Sequence, residues 1–190
     1  LDGSSAASDV YKRQDLTQAK FSSNAQTSFA VDEYGIWLSG IHDDIGYEMH
    51  YLSNEGEFMS WDLNNFEDST PNSILPFGDY AIVVAEDGIN GRQLVQLNSS
   101  GSHTWLTSMS LQSNGNPPTN VGENLGLNLL DGKIIFDAQI SSVDPTIWSY
   151  DLQTGNLVEL SSLIAAPSER VDAVMANGKL CFDCITGATA

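Results

Sequence analysis

The residues best suited to redox or metal chemistry are two cysteines, Cys181 and Cys184, with C-x-x-C spacing. They fall in a β-type run and not at the start of a helix, where a thiolate would be stabilised. On a strand, residues three apart point to opposite faces, so one metal ion does not readily bind both. His42, His50 and His103 lie far away without the spacing of zinc ligands. The sequence therefore predicts no metal or redox site, and two cysteines exclude a disulfide framework.

Carboxylates are the other abundant reactive groups, and two clusters lie in turn-like segments. The first is Asp43–Asp44 with Glu48, and the second is Glu86–Asp87. Either cluster offers oxygen atoms to calcium, which takes about six to eight of them, but neither has the spacing of an EF-hand loop. Because Asp-Gly is also a common turn former, we expect turn formers or solvated acids here. A calcium-stabilised adhesive repeat stays open as an alternative.

No known catalytic pattern accompanies these acids. The chain contains no G-x-S-x-G, H-E-x-x-H or P-loop sequence, and its 25 Asp and Glu residues leave a glycosidase pair undefined without geometry. The sequence thus assigns no catalytic and no cofactor-binding residue. His42 and His50 flank a turn and a strand, and we expect structural or surface roles for them.

The tryptophans all lie within predicted strands. We expect them to pack in the interior between sheets, because an indole contributes a large apolar area. A stacking platform for sugars is the alternative. The four residues are Trp37, Trp61, Trp105 and Trp148.

The charge of the chain restricts its partners. Its 7 Lys and Arg against 25 Asp and Glu give a net charge of -18, which repels a phosphate backbone and anionic membranes. We therefore expect no nucleic-acid partner, while cations and neutral ligands stay open. No apolar run approaches the ~20 residues of a membrane helix, so no membrane insertion is expected. With 41% apolar residues in 190, the chain is long enough for one globular domain with a core.

Residues 1–14 have neither the apolar centre of a signal peptide nor a strand period. They resemble the translated sequencing-adapter tail that recurs at the ends of reading frames from assembled environmental DNA, so we expect a disordered artefact here. Its removal takes away two residues of each sign and leaves the net charge at -18. On this interpretation residues 15–190 form the domain, and the natural N-terminus with any secretion signal is missing.

The elements that would position these side chains are short β runs that recur along the chain. Taking Ile36, Ala81, Ile134 and Leu180 as equivalent gives intervals of 45, 53 and 46 residues. A period near this length indicates a repeated supersecondary unit with room for about four strands. The runs are Tyr34–Gly40, Asp79–Ala85, Gly132–Ala138 and Gly178–Cys184.

Further runs complete each unit. A second run centres on Met49, Leu94 and Ile147, each nine residues beyond the small residue that closes the first run. Gly-containing turns follow, since a hairpin needs a residue with positive φ. Helical periodicity is nearly absent, with one turn at most within 157–166. The turns are 54–56, 99–101 and 153–155; the third runs are 57–63, 103–107 and 156–160; the fourth runs, each before the next unit, are 27–31, 72–77, 124–130 and 170–176.

This pattern predicts an all-β chain, a partial β-propeller of about three and a half four-stranded antiparallel blades. A single blade cannot bury both of its faces, so each needs a neighbour. We therefore expect a fragment of a larger propeller that lacks blades of the same chain at both ends. The expected units are 35–78, 79–130 and 131–176, with the start of another at 177–190.

The segment 86–104 resembles the bacterial ELWxxDGT repeat, also labelled hyalin-like. The likeness lies in Asp87-Gly88, Gly91 and Leu94, and in the flanking run from Gly132 to Ala138. Gln93 stands where the repeat has Glu and Val95 where it has Trp. The resemblance covers residues 21–190 and implies a secreted or surface-attached β-propeller array without established chemistry.

The resemblance favours a non-enzymatic, extracellular or cell-surface β-propeller module that is a scaffold for protein or carbohydrate binding. Two alternatives stay open: a fragment of a glycan-active propeller enzyme, and the calcium-stabilised adhesive repeat.

Overall fold

The chain is all-β throughout the part that a computed structural model describes. No helix, and so no helix that could span a membrane, occurs in that part. At 21–22, 173–176 and 180–182 the description covers the backbone alone. The described residues are 21–22, 28–107, 119–123, 125–139, 145–160, 173–176 and 179–182.

Each predicted run that falls within these residues is a strand. Leu157–Glu159, where one helical turn was allowed, is also a strand, and 161–166 lie outside the described residues. So do residues 1–14 and Cys184. The strands are β1 Phe21–Ser22, β2 Phe29–Val31, β3 Gly35–His42, β4 Gly46–Ser53, β5 Phe58–Trp61, β6 Asn72–Pro76, β7 Tyr80–Glu86, β8 Arg92–Asn98, β9 His103–Trp105, β10 Asn128–Leu130, β11 Lys133–Ala138, β12 Thr146–Asp151, β13 Leu157–Glu159, β14 Ala173–Ala176 and β15 Lys179–Phe182.

The strands form antiparallel sheets in chain order. Sheet A contains β1 to β5, sheet B contains β6 to β9, sheet C contains β10 to β13, and β14 pairs with β15. In sheet A both β1 and β2 pair with β3. The predicted hairpin turns have the required geometry, because Gly56, Gly101 and Gly155 all have positive φ.

The sheets are offset by one strand from the units expected from the sequence. Strand β6, placed at the end of the unit 35–78, pairs with β7 of the next unit. The reason is the length of the connections between strands. A tight turn at Gly78, whose φ is +80°, joins β6 to β7, whereas the longer loop 62–71 separates β5 from β6. The same offset places β10 with β11.

Sheets A and B pack face to face through large apolar side chains. Trp37, Tyr51 and Trp61 of sheet A are buried against Val83 and Val95 of sheet B. The rings of Trp37 and Trp61 stack with centroids 5.6 Å apart. Burial of this apolar surface is the main stabilising term of the stack.

Sheet B repeats this packing on its other face. Ile82 and Val84, which alternate with the residues that face sheet A, are buried against Ile134, Phe136 and Trp148 of sheet C. Sheet B is therefore covered on both faces, and the three sheets form a stack in the order A, B, C.

Candidate functional site

The functional candidates lie at one end of the stack, where the β3–β4 and β7–β8 hairpins turn. These turns, at 43–45 and 87–91, flank the loop 62–71 that leads from sheet A to sheet B. We call this surface the turn face. Loops held by a rigid scaffold are the usual place for binding residues.

The loop 62–71 is tied to both sheets by hydrogen bonds. The Tyr47 N–H of sheet A donates to Asp68 Oδ1 at 2.9 Å. The Glu86 N–H of sheet B donates to the Ser69 carbonyl at 2.8 Å. The loop therefore closes the gap between the two sheets at this end and has a fixed position.

Glu48 fixes both ends of the loop from inside. Its side chain is fully buried, and it accepts hydrogen bonds from the Leu63 N–H at 3.2 Å and the Ser69 N–H at 2.9 Å. The Ser69 hydroxyl donates to it as well. Burial raises the pKa of Glu48 to about 7, although the hydrogen bonds from Ser69 and Leu63 favour the ionised form.

This arrangement corrects the cluster expected from the sequence. Asp43 and Asp44 are exposed on the β3–β4 turn, whereas Glu48 lies in the strand and points inward. A carboxyl with a pKa near neutrality is a usual candidate for acid–base catalysis. Because the side chain of Glu48 has no exposed surface and its oxygens are engaged by the loop, it does not contact a substrate here.

The Glu86–Asp87 cluster is a turn, as expected. Asp87 Oδ1 accepts hydrogen bonds from the N–H groups of Ile89 at 2.8 Å and Asn90 at 2.6 Å, which closes an Asx turn. Burial raises the pKa of Glu86, and the Arg92 guanidinium 3.9 Å away opposes that shift. These bonds hold the tip of the β7–β8 hairpin in one conformation.

Two large apolar side chains project from this fixed framework into solvent. Phe66 on the loop and Ile89 on the hairpin tip are each 80% exposed. Phe66 lies close to the backbone of Gly88, the residue before Ile89, because Gly88 has no side chain. A Cβ there would be 3.3 Å from the Phe66 ring and 2.4 Å from Asn64 Oδ1. An exposed aromatic residue on a pre-organised loop is typical of an interface anchor.

The surroundings of Phe66 and Ile89 are acidic. Within the described part of the chain, Arg92 is the basic residue at this face, and its guanidinium is ion-paired to Glu86. The carboxylates of the turn face are Asp43, Asp44, Asp62, Glu67, Asp68, Glu86 and Asp87.

Sequence reasoning did not identify Phe66. The residue lies outside every periodic run, in the polar segment Asn64-Asn-Phe-Glu-Asp68. That segment was the available signal, because a single large aromatic residue among polar residues between two strands has no core face to join.

The tryptophans belong to the packing, as expected. Trp37 and Trp61 are buried between sheets A and B, and Trp148 is buried between sheets B and C, where its Nε1–H donates to Thr146 Oγ1 at 2.7 Å. Trp105 is half-buried beside the A–B interface. None of these four offers an exposed stacking platform.

The histidines also have structural positions. His50 is buried, with its Nε2 3.0 Å from the Gly40 carbonyl and its Nδ1 2.8 Å from Ser60 Oγ, and burial lowers its pKa. His42 Nδ1 accepts a hydrogen bond from the Asp44 N–H at 3.2 Å, and His103 is exposed on β9. Within the described ranges, no group of three or more His, Cys, Asp or Glu side chains is placed to hold a metal ion.

Comparison with known proteins adds no relative. The sequence matches no family model and no curated protein, and no solved structure matches it significantly.

Proposed function

We propose that the chain is a non-enzymatic β-propeller repeat module of the ELWxxDGT kind, located outside the cell or on its surface, that binds a protein or carbohydrate ligand. Its sheets are the blades, and further blades of the same chain would extend the stack. The turn face is the binding surface.

The observation that carries this proposal is the pair Phe66 and Ile89, exposed on segments that are fixed by hydrogen bonds. Exposed apolar side chains lower the solubility of a protein, so a rigid pair of them is most simply explained by a ligand that covers it. An aromatic ring also stacks on the apolar face of a sugar, and carboxylates and amides around it accept and donate hydrogen bonds to hydroxyls. Both ligand classes therefore fit the same residues.

The test is a binding screen of the whole chain against a glycan array and a display library of random peptides. Phe66→Ala should weaken each ligand found by roughly five-fold or more, the usual effect of removing an interface anchor. Because Phe66 is 80% exposed, this variant should retain the thermal stability of the wild type.

The matched control is Tyr34→Ala. Tyr34 is also an exposed aromatic residue, at 55%, but it precedes β3 at the opposite end of the stack. Binding that is lost in the Phe66 variant and kept in the Tyr34 variant places the ligand at the turn face. Equal binding by both variants would refute the proposed site, and the array and the library distinguish carbohydrate from protein.

A further inference from the structure

The carboxylates of the turn face fall into two groups. Those of Asp68 and Asp87 hold the framework, because each accepts hydrogen bonds from backbone N–H groups. Asp62 and Glu67 are exposed on the loop 62–71, and neither side chain forms an ion pair or accepts a hydrogen bond within the described part of the chain. The charges of this second group are therefore left for a partner to neutralise.

These charges accompany the exposed apolar residues of the turn face. Glu67 follows Phe66 in the loop, and Asp87 precedes Ile89 by two residues on the hairpin tip. A ligand large enough to cover both apolar side chains also approaches these carboxylates and displaces water from them. Removal of water from a charge costs free energy unless an opposite charge takes its place. A partner with cationic side chains around its apolar contact offsets that cost, whereas a neutral ligand does not.

Cationic side chains also suit the apolar residues themselves. A guanidinium or ammonium group within about 6 Å of the centre of an aromatic ring is attracted to the face of that ring. Phe66 is 80% exposed, so its ring is accessible to such a group. The long stems of Lys and Arg are apolar and cover side chains such as Ile89 while the charged end stays in water beside a carboxylate.

The charge of the whole chain acts in the same direction. A net charge of -18 attracts cationic partners from a distance, repels acidic ones and gives a neutral sugar no advantage. Arg92 does not offset this field at the turn face, because its guanidinium lies 3.9 Å from the Glu86 carboxylate and is paired with it.

We propose that the turn face binds a segment of a cationic protein, in which Lys or Arg side chains flank an apolar residue that contacts Phe66 or Ile89. The inference rests on the proposed function and narrows its two ligand classes to one. A carbohydrate at the same residues is the competing outcome.

Selection of the display library of random peptides on the whole chain is the first test. The enriched peptides should have a net positive charge and contain Lys or Arg beside an apolar residue. An enriched peptide is then synthesised with a fluorescent label, and its Kd for the wild type and for each variant is measured by fluorescence anisotropy.

Two matched double variants separate the charges of the turn face from the charge of the chain. Asp62→Asn with Glu67→Gln removes two charges at the turn face, and Glu57→Gln with Asp79→Asn removes two at the opposite end. The first pair should weaken binding of the peptide by roughly five-fold, and the second by less than about two-fold. All four residues are exposed, so both variants should fold, which thermal unfolding checks.

An oligolysine peptide of the same length, which has the charge but no apolar residue, is the control ligand. Phe66→Ala should weaken the selected peptide by about five-fold or more and leave the oligolysine unchanged. The oligolysine should bind the wild type at least about ten-fold more weakly than the selected peptide does. An increase of NaCl from about 50 to about 500 mM should weaken the selected peptide several-fold, because salt screens exposed charges.

The results distinguish this inference from the proposed function. Ligands that need Phe66 but are neutral, whether peptides or glycans from the array, would overturn the cationic partner and keep the binding surface. Ligands unaffected by Phe66→Ala, or a screen that yields no ligand, would overturn both. Equal weakening by the two double variants, or oligolysine that binds as tightly as the selected peptide, would show attraction by net charge alone and overturn the inference.

Discussion

Replacement of Glu48 by glutamine should remove a pH dependence of stability that this buried carboxyl creates. Burial raises its pKa from 4.5 to about 7. Between these values the folded chain binds more protons than the unfolded chain, so the free energy of unfolding decreases as the pH rises through the window. The contribution is fully present below pH 4.5 and is lost above pH 7. At about 1.4 kcal/mol per pH unit, the loss amounts to as much as about 3 kcal/mol.

Glutamine suits this test because the same position in sheet B already contains it. Gln93 is buried, and its Oε1 accepts a hydrogen bond from the Thr107 hydroxyl at 2.8 Å. In acid, residue 48 is neutral in both proteins. Their free energies of unfolding should then differ by about 1 kcal/mol, the usual effect of one altered hydrogen bond. From acid to neutral pH the free energy of unfolding of the variant should rise by up to about 3 kcal/mol relative to that of the wild type, because only the wild type loses the contribution of Glu48. Above neutrality the variant should therefore be the more stable protein.

The assay is urea unfolding at a series of pH values, followed by tryptophan fluorescence, since Trp37 and Trp61 are buried in the folded chain. Subtracting the unfolding free energy of one protein from that of the other removes the pH dependence that both share. This includes the other carboxylates and His50, whose lowered pKa changes stability with pH in the opposite direction. Gln93→Glu is the control and should introduce a second pH dependence of the same sign as that of Glu48. Parallel curves for wild type and Glu48→Gln would refute the reasoning, because Glu48 would then titrate as it does in the unfolded chain.

Three further substitutions test the packing. Trp37→Ala should lower the free energy of unfolding by about 3 to 5 kcal/mol, because this side chain is fully buried between sheets A and B; a loss below about 1 kcal/mol in urea unfolding would contradict the A–B interface. Gly88→Ala should lower the free energy of unfolding by roughly 2 kcal/mol more than Gly132→Ala. Both glycines have positive φ, but a Cβ on Gly88 would be 2.4 Å from Asn64 Oδ1, whereas nothing lies within 4 Å of a Cβ on Gly132. Equal losses in the two glycine variants would show that the Asn64 contact is not restrictive.

The strands could be predicted because their signals are local. Short apolar runs rich in β-branched and aromatic residues, in 80–86 and 133–138, each preceded by a turn with Gly, are typical of buried strands. The period of the repeat then indicated that the sheets need neighbours, and the stack of three sheets has that form.

The polar contacts could not be predicted because they join residues without a local signal. Glu48 was grouped with Asp43 and Asp44 by proximity in sequence, yet its partners are Leu63 and Ser69, which lie 15 and 21 residues away in a loop with no periodicity. The direction of its side chain depends on where that loop folds back, which only tertiary packing decides. The exposure of Phe66 depends on the same loop and was missed for the same reason.

The three sheets repeat their apolar packing but vary their polar anchors. Glu48, Gln93 and Thr146 are equivalent, since each pairs with the small residue that closes the first strand of its repeat. Glu48 accepts hydrogen bonds from the backbone of the loop after its sheet, and Gln93 accepts one from the Thr107 hydroxyl. Thr146 instead accepts from the Trp148 indole of its own strand.

This variation has a physical consequence for where binding evolves. The stack requires apolar side chains at fixed positions, so substitutions there cost stability. A loop such as 62–71 is held by the buried Glu48 side chain and by hydrogen bonds from Tyr47 and Glu86 of the two sheets, whereas the side chain of Phe66 is 80% exposed. Residues such as Phe66 can therefore change without loss of the fold, provided that Glu48 or an equivalent acceptor is kept. Under the proposed function, the choice of ligand should depend on these loops, with the sheets setting only their spacing.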